Sequence, residues 1–418
     1  MTEQTPYPKM TRAMALGSAF TPAAPVDDQS LFAGRVDQLM TCSMAMGQHG
    51  VHIGVYGERG VGKTSLANIL PKVVNEAARI ANVSNQVLAV RVDCATNDDF
   101  TSLWRKVFRE LERGAVPTED LFDPEAVRFR LQNADVAYLI VLDEFDRLED
   151  DEAISLLADT LKTLSDHRVW TTVMIVGVAA SVDLLVGEHE SIARSLVQVP
   201  MLRMSVDEMN DVLTRGLSQA QLEIEPEARR VIVSLAEGLP HFVHLLGLHS
   251  GQHAIAEDRT TIVASDVQKA IRMATRTHSM MSAYDAATRS NQSANLYQQV
   301  LLACAFAKKD HDGTFRTADV RPPLARIMGK TVGLQTFARH LEEFCSDARG
   351  NTLQRSGEER RYRYRFKDPL LQAFVKMATL EKSIVSEEAF RQLEQEFPPA
   401  GWVMERAWPT DLPQLLEQ

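Results

Sequence analysis

The chain has 418 residues, enough for two or three domains and a sizeable apolar core. Its 45% hydrophobic and 24% charged residues are ordinary globular values, and a net charge of −11 argues against a protein coated in basic nucleic-acid-binding surface. No apolar run approaches the ~18 residues of a membrane span and the start lacks a signal-peptide pattern, so a cytoplasmic protein without membrane partners is expected.

Cys42, Cys94, Cys304 and Cys345 are scattered without a C-x-x-C pair, which indicates neither zinc nor a disulfide framework. The charge is unevenly spread. Residues 1–290 carry about 27 basic and 39 acidic side chains, residues 291–380 about 15 and 9, and residues 381–418 about 3 and 8, so positive charge is concentrated in one late segment.

Residues 1–28 are polar, with Pro6, Pro8, Pro22 and Pro25 and no sustained periodicity, and read as a flexible arm. Order is expected from about residue 29. A helix then leads into the strand-like run from Val51 to Tyr56. Directly after it comes Gly57-Glu58-Arg59-Gly60-Val61-Gly62-Lys63-Thr64, the G-x-x-x-x-G-K-S/T phosphate loop. Its glycines let the backbone curl with N–H groups turned inward, Lys63 neutralises β/γ-phosphate oxygens, and the Thr64 hydroxyl suits Mg²⁺. The helix beginning at Ser65 adds its positive end at the same point. A Gly-rich turn with a stray lysine would lack this strand, loop and helix order. ATP with Mg²⁺ is therefore the expected ligand.

The next strand, Val87 to Val92, is followed by a helix from Phe100 to Leu111. Tyr138 to Leu142 is a buried-type parallel strand running into Asp143-Glu144-Phe145-Asp146. Acids at a strand's C-terminal end sit where open α/β sheets bind ligands. Asp143 is the candidate for the Mg²⁺ shell and Glu144 for polarising the attacking water, although Asp-Glu is also a good helix start. A helix near Ala153 to Leu164, a strand from Thr171 to Gly177 and a short strand from Val197 to Pro200 complete the pattern. Strands alternating with helices imply an α/β fold with a parallel sheet, spanning residues 29–204.

From Ser205 to Thr277 the pattern is purely helical, with segments at 206–216, 226–236, 240–255 and 265–274, and reads as a small lid over 205–277. Residues 278–294, with several Ser and Asn, read as a linker. Over 295–380, amphipathic helices at 296–306, 317–328 and 334–344 precede a hairpin whose second arm alternates strictly. Tyr362, Tyr364 and Phe366 face one side; Arg361, Arg363 and Arg365 face the other. Three helices and a basic hairpin make a winged helix-turn-helix. Its third helix, with Gln335 and Arg339, suits a DNA major groove, while Arg355 and the arginines of the second arm suit phosphates. An alternative is a protein-binding winged helix whose edge strand is protected by arginines. Residues 381–418 form an acidic extension with a helix from Glu387 to Glu396.

The order of phosphate loop, Asp143-Glu144-Phe145-Asp146, following strand, arginine-bearing helix and helical lid resembles an AAA+ ATPase. Within that class the D-E-x-D motif, and Gly34-Arg35 with Asp37 and Leu39 before the core, resemble the origin-recognition and cell-division-control initiators and their bacterial relatives. The resemblance covers about residues 30–277, with 295–378 for a winged-helix tail. It implies a homo-oligomer acting on double-stranded DNA and ATP hydrolysis completed by an arginine finger at Arg194, with Arg203 the nearest competitor. A solvated arginine explains Arg194 equally well. Two departures imply slow turnover. After Ile175-Val176-Gly177-Val178 the chain has Ala179-Ala180 and no polar sensor residue, and Gly238-Leu239-Pro240 is followed by His241 where the family carries arginine. His241 is a candidate phosphate contact or a lid-packing residue. A nucleotide switch that restrains a protein partner without DNA is the competing function.

Overall fold

The computed structural model describes residues 8–82, 86–112, 121–132, 136–178, 192–277, 279–290, 295–310, 313–358 and 361–398. They divide into two compact units, one of residues 23–202 and one of the residues up to 22 together with those from 203 on. The first helix, α1 (Pro8–Ala19), belongs to the second of these.

The first unit runs α2 (Val36–Met46), β1 (His52–Gly57), α3 (Lys63–Ile80), β2 (Val87–Asp93), α4 (Phe100–Leu111), α5 (Pro124–Gln132), β3 (Ala137–Asp143), α6 (Asp151–Asp166), β4 (Thr171–Gly177) and β5 (Leu196–Met201). The five strands pair in parallel in the order β2-β3-β4-β1-β5. Every residue of β4 is buried, as expected of a central strand covered on both faces. Helix α4 buries Phe100, Leu103, Trp104, Val107 and Phe108, one stripe at helical spacing, and starts at a capping box between Asp99 and Ser102. Helix α5 was not expected. It buries only Val127 and Leu131 from a charged segment, too narrow a stripe to stand out.

His52 lies wholly inside this unit. Its Nε2–H donates to the Leu161 carbonyl at 3.0 Å and its Nδ1 accepts the Val173 N–H at 3.1 Å, so the fold demands the neutral Nε2–H tautomer. Burial pushes its pKa down to about 4.

The second unit contains the helical segment and everything after it. Its lid consists of α7 (Val206–Gln219), α8 (Pro226–Ala236), α9 (Pro240–Ala256) and α10 (Ala264–Thr277), with β6 (Glu223–Ile224) and β7 (Thr261–Ile262) forming a short parallel pair within the otherwise helical segment. Ser205 opens α7 with a capping box to Glu208.

The arm expected over residues 1–28 is corrected here, because α1 packs on the lid. Leu16 and Phe20 are buried. A Cβ on Gly216 would come within 2.4 Å of the Phe20 ring, one on Gly247 within 2.8 Å, and one on Gly251 within 2.7 Å of Leu16. Three side-chain-free positions on α7 and α9 thus make the groove that receives α1. Thr21 N–H donates to Nδ1 of the buried His244 at 3.1 Å, and burial holds that imidazole at about 4 as well.

A second correction concerns the linker. It contains α11 (Met280–Thr288), with Tyr284 and Ala287 wholly buried. Then follow α12 (Tyr297–Phe306), β8 (Phe315–Arg316), α13 (Thr317–Met328), α14 (Leu334–Phe344), β9 (Leu353–Ser356), β10 (Arg363–Phe366), α15 (Pro369–Glu381) and α16 (Glu387–Glu396). The three strands form an antiparallel sheet with β10 between β8 and β9. Three helices and this sheet have the element order expected over 295–380.

Glu237 joins this part of the chain to the lid. It stands at the end of α8 with φ 55°, and its buried carboxylate accepts Lys376 Nζ and, at 2.9 Å, Gln372 Nε2, both from α15. Arg203 reaches the same carboxylate at 3.8 Å and donates to the Glu237 carbonyl at 3.3 Å. Removing either partner of the buried pair would strand a charge, so the contact fixes how lid and α15 pack. In the acidic extension, Phe390 of α16 lies edge-on to Phe306, and its neighbour Leu393 is also buried.

The two buried imidazoles give the fold an acid limit. A histidine whose folded pKa is about 4 against an unfolded ~6.5 contributes stability that is complete above pH ~6.5 and is lost as the pH falls toward 4, on the order of 3 kcal/mol each. Thermal unfolding between pH 7.5 and 4.5 should show a melting temperature that falls steadily below about pH 6.5. A flat profile over that window contradicts the assignment.

Candidate functional site

The phosphate loop closes the gap between the end of β1 and the start of α3. Gly57 could not be another residue, since a Cβ there would lie 2.3 Å from the Met201 carbonyl oxygen of β5. Gly60 and Gly62 have φ 86° and 96°, the left-handed region that only glycine enters without strain. Lys63 is the first residue of α3, and its Nζ folds back to donate to the Gly57 and Glu58 carbonyls at 2.9 Å each. Burial lowers its pKa, with Asp146, Asp143 and Glu58 opposing. Ser65, expected among the ligand contacts, uses its hydroxyl to accept the Val26 N–H at 3.0 Å, and Asp27 pairs with Lys72 at 2.6 Å. Residues 26 and 27 therefore lie along α3.

Asp143 ends β3 and is 4% exposed. Burial raises its pKa; the Thr64 hydroxyl and a hydrogen bond from the Glu144 N–H at 2.9 Å oppose that, as does the Arg91 charge. The two groups expected to hold Mg²⁺ are thus neighbours. A single carboxylate and a hydroxyl, with phosphate oxygens and water to complete the shell, suit this ion, so the residues fit it.

Glu144 adopts φ 52° and its half-exposed carboxylate accepts from Arg147 Nη1 at 2.7 Å. Arg147 was not singled out from sequence, and the i,i+3 spacing through the turn Phe145–Arg147 is the only signal for it. Arg91 was missed too. From edge strand β2 it donates to Asn68 of α3 at 3.1 Å and stands 3.5 Å from Asp93. A third omission is the contact made by Arg35, 4% exposed and at φ 59°, whose Nη2 donates to the Val61 carbonyl at 3.1 Å and the Leu202 carbonyl at 2.6 Å.

Arg194 is exposed in the turn Ile192–Arg194 that precedes β5. Leu196 pairs with His52 and Met201 with Gly57, so Arg194 sits at the N-terminal edge of the sheet, a whole strand, about 20 Å, from its own phosphate loop. It does not serve that loop. Arg203, the competitor, donates to the Glu237 carbonyl at 3.3 Å and stands 3.8 Å from its carboxylate. Of the sensor departure, Ile175 to Gly177 lie in β4, while Ala179 and Ala180 fall outside the described residues. His241 opens α9 with its Nδ1 3.0 Å from the Pro22 carbonyl oxygen and its ring edge-on to Phe242.

In the basic segment the alternation holds. Tyr364 and Phe366 are buried beside Phe315, while Arg361 and Arg365 are exposed. Arg363 is the exception, since its guanidinium pairs with Asp310 and donates to the Thr314 hydroxyl at 2.9 Å. It is withdrawn from the phosphate-contacting set. Arg339 is exposed on α14 but bonded to Glu343 at 2.8 Å. Arg355 lies 4.2 Å over the Tyr362 ring, and Arg365 donates to Gln354 at 2.8 Å. Arg316 of β8, opposite Arg363 in the sheet, is a further exposed cation that sequence reasoning passed over. Of the turn at 356–359, Glu359 lies outside the described residues.

Lys63 carries the only fixed positive charge within the loop's own curl besides Arg59. Lys63→Ala should weaken ATP binding tenfold or more, a charge-assisted hydrogen bond being worth ~1.5–3 kcal/mol. Parental affinity in calorimetry would remove the loop from the account.

Residues 47–185 match a family model described as an AAA domain. No curated protein sequence matches the chain. Among solved structures the chain is similar to Cdc6p from Pyrobaculum aerophilum, at 16% identity over 91% of this chain and 98% of that one, with a TM-score of 0.48. It is also similar to the ORC1 protein of Aeropyrum pernix in complex with DNA, at 15% identity over 90% and 97% with a TM-score of 0.48, and to a Walker-type ATPase of Pyrococcus abyssi, at 15% over 86% and 99% with a TM-score of 0.49. The family match spans the phosphate loop, Asp143 and the strands β1 to β4, and over these residues the chain is similar to an AAA domain.

Proposed function

We propose that the chain is a Mg²⁺-dependent ATPase that assembles into a homo-oligomer and binds double-stranded DNA through a winged-helix segment over 295–380. The observation carrying the first part is the phosphate loop itself, with Gly60 and Gly62 in the left-handed region, the half-buried Lys63 folded onto the loop carbonyls, and the Asp143 carboxylate beside Thr64. ATP phosphates would take the loop N–H groups and the N-terminus of α3, and Lys63 would exchange its two backbone carbonyls for phosphate oxygens. Thr64 and Asp143 would hold Mg²⁺, which supplies charge neutralisation at the β/γ oxygens. Glu144, steadied by Arg147, orients the attacking water and takes its proton as the bond from the γ-phosphorus to ADP breaks. Arg194, a strand's length from its own loop, is offered to a neighbouring subunit's γ-phosphate. Without a polar sensor after β4 or an arginine at position 241, turnover is slow.

Exposed Arg316, Arg355, Arg361 and Arg365 support the DNA reading, with Arg339 available where Glu343 releases it. One observation favours the competing switch that binds a protein instead. Arg363 and Arg339, two of the five arginines first singled out, are already spent on carboxylates of the same segment.

Mixing two dead variants tests the assembly. Glu144→Gln should bind ATP without hydrolysing it, because the amide takes no proton, and Arg194→Ala should lack the finger. Together they should regain turnover, since a Glu144→Gln subunit can lend Arg194 to its neighbour's intact site. Full activity of Glu144→Gln alone, or no recovery in any mixture, contradicts the proposed roles.

Replacing Arg355, Arg361 and Arg365 by Ala should weaken duplex binding alike across sequences and reduce the slope of log K against log salt by about 0.9 for each lost phosphate contact. Tyr364 and Phe366 are untouched, so the sheet should stay folded. Absence of duplex binding by the parent at low salt with ATP hands the function to the switch.

A further inference from the structure

The glycine that makes the phosphate loop possible also weakens it. Turning the peptide between Val61 and Gly62 over changes ψ of Val61 and φ of Gly62, and glycine accepts φ of either sign almost equally. Local chain chemistry therefore leaves this peptide free to flip. Its orientation matters, because all peptides here are trans and C=O and N–H point in opposite directions across a trans peptide. Whatever holds the Val61 carbonyl aims the Gly62 N–H.

Arg35 holds that carbonyl. Its Nη2 spends one hydrogen on Val61 at 3.1 Å and the other on Leu202, the residue after β5, at 2.6 Å. The guanidinium is buried, in a medium where a charged donor bonds strongly and an unmet carbonyl is costly. The backbone is bent to deliver it: Gly34 and Arg35 are consecutive left-handed residues, φ 66° and 59°, the second an uncommon conformation for a long side chain. Val61 itself is fully buried, so its carbonyl has no water to turn to in place of Arg35.

We propose that Arg35 is a positioning residue for the phosphate loop. Through the Val61 carbonyl it locks the 61–62 peptide with the Gly62 N–H presented to a phosphate oxygen, without touching the nucleotide. The inference rests on the nucleotide reading above and names what keeps that site ready before ligand arrives.

The test uses the full chain with Arg35→Ala and Arg35→Lys, two readouts and no reliance on turnover. In nucleotide-free protein, hydrogen exchange of a peptide covering residues 57–66 should speed up in Arg35→Ala while β3 and β4 keep parental protection. Mg²⁺–ATP affinity should fall about 10- to 100-fold, the value of one charge-assisted hydrogen bond. Arg35→Lys retains a charged donor and should lie between parent and Arg35→Ala on both readouts, which also serves if the alanine variant fails to fold. A folded variant with parental ATP affinity, or with unchanged exchange in the loop, overturns the proposal. A parent that binds no ATP overturns the nucleotide reading itself, and with it the phosphate role given to Arg35.

Discussion

A parallel sheet puts every strand's C-terminus on one edge, and the chemistry of the first unit follows from that constraint. Because β4 separates β1 from β3, the loop after Gly57 and the carboxylate of Asp143 open onto the same edge one strand apart, with the Thr64 hydroxyl beside Asp143. The same rule sends Arg194 to the other edge, with β5 paired residue for residue against β1 between it and the loop. That separation, with Arg194 exposed a strand's length from the loop, is what supports the proposal that it serves a second chain.

Most side chains around the loop are restrained by backbone rather than by one another. Lys63 rests on two carbonyls, Ser65 on the Val26 N–H, Arg35 on Val61 and Leu202. These bonds satisfy buried groups that would otherwise be costly, and phosphate can replace those of Lys63 one for one. In the second unit the opposite strategy appears. Glu237, Lys376, Gln372 and Arg203 meet side chain to side chain in the interior, and such a cluster specifies one packing of lid against α15 more than it adds stability.

The strands, the phosphate loop and Asp143-Glu144 were legible because each depends on local pattern: five apolar runs of strand length, glycines at fixed intervals, acids at a strand end. The structure puts both ends of each of β1 to β5 within one residue of those runs. What was not legible depends on distant partners. Helix α1 has little periodicity of its own and is held by the absence of side chains at Gly216, Gly247 and Gly251, some 200 residues away. Helix α11 owes its order to Tyr284, edge-on to Phe374 of α15, and Arg363, singled out as a candidate phosphate contact, pairs with Asp310, 53 positions earlier. Arg35 was noticed as part of a motif, yet its hydrogen bonds to Val61 and Leu202 emerge only once the sheet brings those carbonyls together.

The central claim is that Lys63, Thr64 and Asp143 form one Mg²⁺–nucleotide site. Its most direct measurement is an experimental structure of the chain with Mg²⁺ and a non-hydrolysable ATP analogue. The account predicts triphosphate density wrapped by residues 57–64, Lys63 Nζ moved from the Gly57 carbonyl to a phosphate oxygen, and a cation between Thr64 Oγ1 and the Asp143 carboxylate. An analogue bound elsewhere, or a loop that keeps Lys63 on its own carbonyls with saturating nucleotide present, would contradict it.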